Sequence, residues 1–315
     1  MTFHPSGILV PLVTPFTDGG ELATADLERL AHHVIDEGAA GIVALGTTAE
    51  AATLSSRERR EVVQICGRVC AAHGVPLLVG AGSHDTDGTV RAIEEVNDEA
   101  DVAGSLVVVP YYTRPSEAGV VAHFEYVAER SPLPLVLYNV PYRTGQRLGW
   151  ESVVRLSEHP QIVGIKQAVG SVDTDTARLL AETAPSGGAA DTFSVLAGED
   201  TLASPLLAMG AAGAILATAN VCVREFAELF QLWRRGSTAR ARALGNQLVA
   251  PSCALMSEPN PTAIKAVLHA QGRISTANVR LPLLPAGDPA AIVSELRRLR
   301  LRDGALPPEG AVREA

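Results

Sequence analysis

Short runs of Val, Ile and Leu recur about every 30 residues, and each precedes a longer segment in which apolar positions repeat every three or four residues. The runs are ILVPLV at 8–13, GIVALG at 41–46, PLLVGAG at 76–82, SLVVVP at 105–110, PLVLYNV at 134–140, IVGIK at 162–166, FSVLAGE at 193–199 and GAILATA at 213–219. Strands that are apolar along their whole length are typical of parallel sheets covered on both faces. Eight strand–helix units therefore predict an α/β fold, a closed (β/α)8 barrel.

The segments between the runs have the pattern of amphipathic helices. Across 24–37 the apolar residues fall on one face, and Ser55 or Ser56 can cap the next helix with Glu58 in its first turn. Beyond the eighth run, we expect helices at roughly 224–256, 259–272 and 288–302. The predicted organisation is a barrel over 1–222, its last helix with a helical appendage over 223–302, and a flexible tail over 303–315.

Residues 201–223 are uncharged and long enough to span a bilayer. Pro205, Gly210, Gly213 and Asn220 interrupt this stretch, so we interpret it as a short buried helix, a turn and a buried strand, without a membrane span. The opening MTFHPSG has no basic region followed by an apolar core, and we expect no signal peptide.

Composition narrows the function classes. The 315 residues are 47% hydrophobic and 19% charged, which indicates a large folded core. A net charge of −9 argues against nucleic acid or an anionic membrane as partner. Four scattered cysteines are too few for a disulfide framework, so we expect a reducing compartment and a cytoplasmic protein.

Only two of the 26 basic residues are lysines, Lys166 and Lys265. Arginine keeps its proton, whereas a desolvated lysine can lose it and become a nucleophile. Lys166 ends the sixth predicted strand, and Tyr138 ends the fifth, at the barrel face where such enzymes hold their active sites. Lys166 is therefore a candidate for Schiff-base formation with a ketone. An ordinary salt-bridging lysine is the equal alternative from position alone.

Three other patterns give weaker evidence for a functional site. Gly80-Ala81-Gly82 begins a dinucleotide fingerprint without its third glycine. Cys66, Cys70 and His73 lie on one face of a predicted helix, but packing of small residues explains them better than a metal site. Lys265 is most simply a surface or structural lysine on a helix.

Several motifs resemble those of the dihydrodipicolinate synthase/N-acetylneuraminate lyase family, in family order and at predicted strand ends. They are GTTAEAATL at 46–54, VVPYYTRPS at 108–116, LYNVPYRTG at 137–145, GIKQA at 164–168, LAGED at 196–200, TANV at 218–221, EPNP at 258–261 and RLP at 280–282. The resemblance covers nearly the whole chain. It implies a barrel enzyme that forms Schiff bases with pyruvate or another 2-oxo acid, with neither metal nor organic cofactor.

The resemblance also implies roles for particular residues. Lys166 would form the imine, and Tyr138 would shuttle protons during imine formation. Thr47 would relay protons between Tyr138 and Tyr112, the latter supplied by an adjacent subunit. Thr48 would hold the keto acid carboxylate. A shared relay implies at least a homodimer, and the family is usually tetrameric.

Further substrate-binding candidates are Arg143, Ile215 and Gly198. Arg143 matches the arginine that binds the carboxylate of the second substrate, L-aspartate semialdehyde, in the synthase branch, since a guanidinium fork fits a carboxylate. A surface arginine at a helix end is its alternative. Ile215 matches an aliphatic residue near the keto acid, and Gly198 lies in the LAGED motif.

This chain departs from the family pattern in places. Ala49 replaces a usual glycine, which we expect to constrain the turn beside Thr48. Tyr142 stands where synthases mostly carry Ser or Gly, and would narrow the aldehyde pocket. His84 and Gly88 replace the Asn and Glu of the lysine-feedback site, so weak or absent lysine inhibition is expected.

Three functions stay open at this point. Condensation of pyruvate with L-aspartate semialdehyde to 4-hydroxy-tetrahydrodipicolinate, in lysine biosynthesis, leads. Another Schiff-base aldolase or dehydratase acting on a sugar-derived acid is second. A non-catalytic barrel that binds a keto acid is third.

Overall fold

The computed structural model describes residues 3–184 and 193–301, and it confirms the predicted (β/α)8 barrel. All eight apolar runs form strands, and each strand pairs in parallel with its neighbours in chain order until β8 closes on β1. The strands are β1 Gly7–Pro11, β2 Gly41–Ala44, β3 Leu77–Gly80, β4 Gly104–Val108, β5 Leu135–Asn139, β6 Ile162–Gln167, β7 Ser194–Ala197 and β8 Gly213–Ile215.

Two apolar layers explain why the strands are hydrophobic on both faces. Inward-pointing side chains such as Leu9, Val43, Leu78 and Val136 fill the barrel interior. Outward-pointing side chains pack under the surrounding helices in a second, larger core. Burial on both faces is what parallel barrel strands require.

Twelve helices surround and extend the barrel within the described ranges. They are α1 Thr24–Asp36, α2 Ser56–His73, α3 Thr86–Glu99, α4 Glu117–Arg130, α5 Pro141–Thr144, α6 Trp150–Ser157, α7 Thr174–Glu182, α8 Ala203–Ala208, α9 Ala219–Arg234, α10 Thr238–Leu255, α11 Thr262–Ala270 and α12 Ala290–Leu301. Ser55 caps α2 through a reciprocal capping box with Glu58, which resolves the choice between Ser55 and Ser56.

The helical stretch predicted at roughly 224–256 is helical but not continuous. The chain forms two helices there, α9 and α10, because Gly236 adopts a left-handed φ of 72° that ends the first. The later predictions agree with α11 and α12. Helix α10 packs against α9, and α11 packs against both. The predicted tail over 303–315 lies outside the described residues, and the division at 222/223 stays a prediction.

The uncharged stretch 201–223 has the predicted form. Helix α8 is followed by a turn at Gly210 and by β8, after which the start of α9 completes the stretch. None of the helices in the described ranges combines the length and hydropathy that a bilayer crossing needs.

Candidate active site

A cavity of about 1000 Å³ opens at the C-terminal ends of the strands. The strand ends supply its floor, because all parallel strands of the barrel finish on this face. Five of the predicted site residues line it, from three different strand ends: Thr47, Thr48, Tyr138, Arg143 and Lys166.

Lys166 lies on β6 in direct register with Tyr138 on β5. Its side chain is buried, and Nζ lies 4.4 Å from the centre of the Tyr138 ring. Burial lowers the pKa of Lys166 to about 8, although the carboxylates of Asp200 and Glu199 act in the opposite direction. The amine is therefore far easier to deprotonate than an exposed lysine.

Tyr138 is buried beside this amine. Burial raises the pKa of its phenol to about 12, against the smaller lowering effects of Arg143 and of a hydrogen bond with Thr47. The phenol thus keeps its proton at neutral pH. The arrangement places a readily deprotonated amine beside a protonated phenol that is itself hydrogen-bonded to the hydroxyl of Thr47.

The Thr47–Thr48 turn is a short 3-10 segment, Thr47–Ala49. Leu45 and Glu50 flank it with a left-handed φ of 53° each, a rare conformation for residues other than glycine. Thr48 is buried, and its Oγ1 accepts a hydrogen bond of 3.0 Å from Nδ2 of Asn260.

Ala49 does not act as expected from its replacement of glycine. Its φ is outside the left-handed region, which Glu50 occupies instead, so the position has no need of glycine. Ala49 is buried, and its carbonyl accepts a hydrogen bond of 2.8 Å from Oγ1 of Thr14.

Arg143 enters the cavity from α5, a single turn that follows β5. Its Nε donates a hydrogen bond of 3.0 Å to the hydroxyl of Tyr142. This bond leaves the two terminal nitrogens of the guanidinium to face a ligand as a fork. The hydroxyl of Tyr142 thus orients the guanidinium of Arg143.

Gly198 and Ile215 lie behind the cavity wall and are absent from its lining. A Cβ on Gly198 would come within 2.7 Å of Cβ of Ala168 and 3.0 Å of Cγ of Lys166, so only glycine leaves the lysine stem its place. Ile215 ends β8 fully buried among the interior side chains.

Tyr112 is 89% exposed and stands away from the cavity of its own chain, which Tyr111 lines instead. Its φ of 69° is left-handed, as that of Arg114 is two residues later. The loop therefore projects the phenol outward. His84 packs edge-on against Tyr111 at 5.4 Å between ring centres.

Three further polar residues near the site were not assigned roles from the sequence. Asn260 binds Thr48, as described above. Asp200 is buried and accepts hydrogen bonds from the backbone N–H and Oγ1 of Thr218, at 2.7 and 2.6 Å. Burial raises the pKa of both Asp200 and Glu199. The LAGED and EPNP motifs were the available signal, but a motif does not reveal which side chains face the cavity.

The structure also shows where the cysteines of α2 and the second lysine lie. Cys66 and Cys70 are buried on the inner face of α2, where burial raises the pKa of both thiols. No group of three metal-binding side chains occurs in residues 3–184 and 193–301. Of the two alternatives for Lys265, a surface or a structural lysine, the structural one is confirmed, because this side chain is fully buried in an ion pair with Glu50.

A lysine that can lose its proton, beside a protonated phenol at the C-terminal end of a (β/α)8 barrel, is an arrangement suited to a class I, Schiff-base-forming lyase or synthase. The chain belongs to the dihydrodipicolinate synthetase family, whose profile matches residues 4–291. It is 38% identical over 291 residues to the 4-hydroxy-tetrahydrodipicolinate synthase of Thermosynechococcus vestitus, covering 92% of this chain and 94% of that protein. It is 39% identical over 279 residues to the synthase of the same name from Syntrophus aciditrophicus, covering 88% and 91%.

Solved structures agree. The 4-hydroxy-tetrahydrodipicolinate synthase of Methylacidiphilum fumariolicum SolV superposes with a TM-score of 0.88 at 33% identity, over 96% of this chain and 98% of that one. A monomeric dihydrodipicolinate synthase variant superposes with a TM-score of 0.86 at 32% identity, over 96% and 97%.

Proposed function

We propose that this protein condenses pyruvate with L-aspartate semialdehyde to 4-hydroxy-tetrahydrodipicolinate, with Lys166 as the imine-forming residue. The observation that carries the proposal is the buried Lys166–Tyr138 pair, whose amine and phenol lie in register on adjacent strands. Relatives that bear the name of this activity align with nearly the whole chain.

The residues divide the first half of the reaction among them. The neutral amine of Lys166 attacks the carbonyl carbon of pyruvate, and Thr48 binds the pyruvate carboxylate. Tyr138 protonates the carbonyl oxygen as the amine attacks and recovers a proton from the nitrogen, which gives a carbinolamine. A second proton passed in the same way from nitrogen to the hydroxyl releases it as water and leaves the imine. Thr47, bonded to the phenol, passes protons to and from Tyr138.

The second half forms the carbon–carbon bond. The imine loses a proton from its methyl group and becomes an enamine. The enamine attacks the aldehyde carbon of the second substrate, and the aldehyde oxygen takes up a proton and becomes a hydroxyl. The amino group of that substrate then displaces Lys166 from the imine carbon and closes the ring. Arg143 binds its carboxylate through the terminal nitrogens. Gly198 and Ile215 support the pocket from behind without lining it.

The proton relay is completed by Tyr112 from a neighbouring copy of this chain. Its exposure and its outward direction in a single chain support this part of the proposal. The working form is then a homodimer or homotetramer. Cys66, Cys70, Cys222 and Cys253 form no disulfide with one another, which fits the cytoplasmic location expected from the sequence.

Lysine is proposed to inhibit weakly or not at all. A carboxylate is missing at Gly88, and its backbone N–H instead bonds to the carboxylate of Asp85, the N-cap of α3. A side chain at this position would collide with that cap. The carboxylate of Asp85 is engaged as the N-cap of α3, so the carboxylate that a glutamate at position 88 would offer to an ammonium is missing.

Intact mass after incubation with pyruvate and borohydride tests the proposal. The chain should gain one reduced pyruvate adduct, which peptide mapping should assign to Lys166, with the buried Lys265 as the internal control. Lys166→Ala should gain none, and wild-type protein should turn over L-aspartate semialdehyde. Absence of any adduct with pyruvate and other 2-oxo acids would refute the Schiff-base function.

The hydrogen bond from Arg143 to Tyr142 favours one alternative. Tyr142 does not line the cavity, but its hydroxyl beside Arg143 adds a polar group near the proposed site of the second substrate, which suits the hydroxyls of a sugar-derived acid. An adduct with pyruvate but no turnover of L-aspartate semialdehyde would assign the protein to a 2-oxo-acid aldolase or dehydratase of this kind.

A further inference from the structure

A buried ion pair joins Glu50, the residue that follows the Thr47–Ala49 turn and lines the cavity, to helix α11. Nζ of Lys265 on α11 donates to Oε1 of Glu50 at 2.7 Å, and both side chains are buried. Lys265 is absent from the lining of the active-site cavity. The second of the two lysines in the chain therefore does not touch a bound substrate.

Stability alone is a poor explanation for this pair. Two charges removed from water lose their hydration, and well-packed apolar residues of the same size often stabilise a core equally well or better. Removing one partner, in contrast, leaves an uncompensated charge. A buried pair of this kind is better understood by what it holds in place.

Glu50 is held at each of its polar groups. Its Oε1 binds Lys265, and its Oε2 accepts a hydrogen bond of 2.8 Å from the backbone N–H of Arg280. Its own N–H donates to the carbonyl of Thr47 at 3.2 Å, and its carbonyl accepts from Thr53. Fixing Glu50 therefore fixes the end of the turn that carries Thr47.

The left-handed φ of 53° at Glu50 adds to the argument. A residue with a Cβ adopts this conformation at an energetic cost, and it persists only where its surroundings determine it strongly. The carboxylate anchors supply that determination. Without them, the residue after Thr47–Ala49 would relax toward a common backbone conformation and move the turn.

The anchors come from the C-terminal part of the chain. The ring of Phe16 contacts two cations, with its centre 4.1 Å from Nζ of Lys265 and 4.3 Å from the guanidinium carbon of Arg280. Arg280 in turn donates to the carbonyl of Thr53 at 2.9 Å and to the carboxylate of Glu58. The cluster of Phe16, Glu50, Lys265 and Arg280 thus ties α11 and the segment after it to the catalytic turn.

We propose that the Lys265–Glu50 ion pair positions the Thr47–Thr48 turn for proton relay and keto acid binding, so that Lys265 is a positioning residue for the reaction. This inference rests on the proposed function for the roles of Thr47 and Thr48. It gives the C-terminal helices a direct part in the activity.

The test compares Lys265→Met, Glu50→Gln and the double variant Lys265→Met/Glu50→Gln with wild type. Arg155→Gln is the control, because it removes a cation from an exposed ion pair with Glu125 on the outside of the barrel. The readouts are kcat and KM for each substrate, the unfolding midpoint in urea, and hydrogen exchange of residues 46–54.

We expect the single variants to raise KM for pyruvate about tenfold and to lower kcat, since a displaced turn misplaces both threonines. KM for the aldehyde substrate should stay unchanged, because Arg143 lies at another strand end. Exchange across 46–54 should accelerate, while β5 stays protected. In the double variant, the unfolding midpoint should recover because no unpaired charge is left, whereas KM for pyruvate should stay raised.

A merely structural role gives a different result. Recovery of KM for pyruvate together with the unfolding midpoint in the double variant would overturn the proposal, as would unchanged exchange at 46–54. If the single variants do not fold, the double variant decides. In wild type, rapid exchange of 46–54 would by itself overturn it. The exchange readout needs no substrate, so it still decides this inference if pyruvate gives no adduct and the proposed function fails.

Discussion

Lys166 and Tyr138 are register partners on adjacent parallel strands, and Nζ of the lysine lies 4.4 Å from the centre of the phenol ring. Burial acts on the two groups in opposite senses, lowering the pKa of Lys166 to about 8 and raising that of Tyr138 to about 12. About one tenth of the amine is therefore neutral at pH 7, beside a phenol that is fully protonated.

The rate of imine formation should follow the neutral fraction of Lys166. Because its pKa is lowered to about 8, kcat/KM for pyruvate should rise about tenfold per pH unit below that value and level off above it. Initial rates across the neutral and mildly alkaline range measure the profile. A profile that continues to rise toward 10.5, the ordinary lysine pKa, would contradict a buried amine as the nucleophile.

Gly198→Ala should slow adduct formation without removing it. The added Cβ would meet Cγ of Lys166 at 3.0 Å and Cβ of Ala168 at 2.7 Å, so the lysine stem must shift. We expect about a tenfold loss in the rate of borohydride trapping with pyruvate, since small displacements of a reacting atom are costly. Gly287→Ala is the matched control, because nothing lies within 4 Å of its Cβ position. Equal rates in the two variants would refute the steric argument.

Tyr112→Phe should lower kcat about a hundredfold while leaving the unfolding midpoint unchanged. The side chain is 89% exposed, so loss of its hydroxyl does not disturb the chain in which it resides. Tyr126→Phe, which loses a surface hydrogen bond to Asp87, is the control and should keep full activity.

Measuring specific activity on dilution tests whether Tyr112 acts across a subunit interface. If Tyr112 acts across an interface, specific activity should fall as the protein dissociates, and sedimentation should show the same midpoint concentration. Full activity of a species that sediments as a monomer would rule out a relay residue from a neighbour.

His123 should make the fold sensitive to acid. Burial lowers the pKa of its imidazole to about 4 from 6.5, and its Nδ1 lies 2.9 Å from Oγ1 of Thr86. Between these two values the unfolded chain binds a proton that the folded chain does not. Neutral His123 therefore contributes up to about 3 kcal/mol to the free energy of unfolding. This contribution is fully present above about pH 6.5 and is lost as pH falls toward 4.

Urea unfolding of wild type and His123→Asn at several pH values measures this contribution. The variant cannot take up the proton, so its midpoint should fall less steeply across the window. Parallel curves for the two proteins would show that His123 does not titrate in this way.

Tyr142→Phe should weaken binding of L-aspartate semialdehyde and leave the reaction with pyruvate unchanged. Loss of the hydroxyl removes the acceptor that holds Nε of Arg143 at 3.0 Å. One such bond is worth about 1 kcal/mol, so KM for L-aspartate semialdehyde should rise about fivefold. Pyruvate trapping should proceed at the wild-type rate, because Arg143 is not needed for imine formation. An unchanged KM would mean that Tyr142 has no part in orienting the arginine.

The sequence by itself determined the barrel and placed at its strand ends the lysine that we propose as the nucleophile. Eight apolar runs with helical segments between them admit few other folds, since strand and helix periods are local properties of the chain. The same local rule placed Lys166 and Tyr138 at neighbouring strand ends, where the structure has them in register. The family motifs then supplied the roles that we propose.

Only the tertiary structure decided which distant groups meet. Nothing in the alternating residues around Lys265 reveals that its ammonium binds Glu50, because that contact depends on how α11 packs against the barrel. The packing of each turn likewise sets the left-handed φ at Gly236 and at Glu50. The sequence had instead directed attention to Ala49, which does not have a left-handed φ. Local pattern fixes the direction in which a side chain leaves its own element, whereas burial and charge pairing arise from segments far apart in the chain.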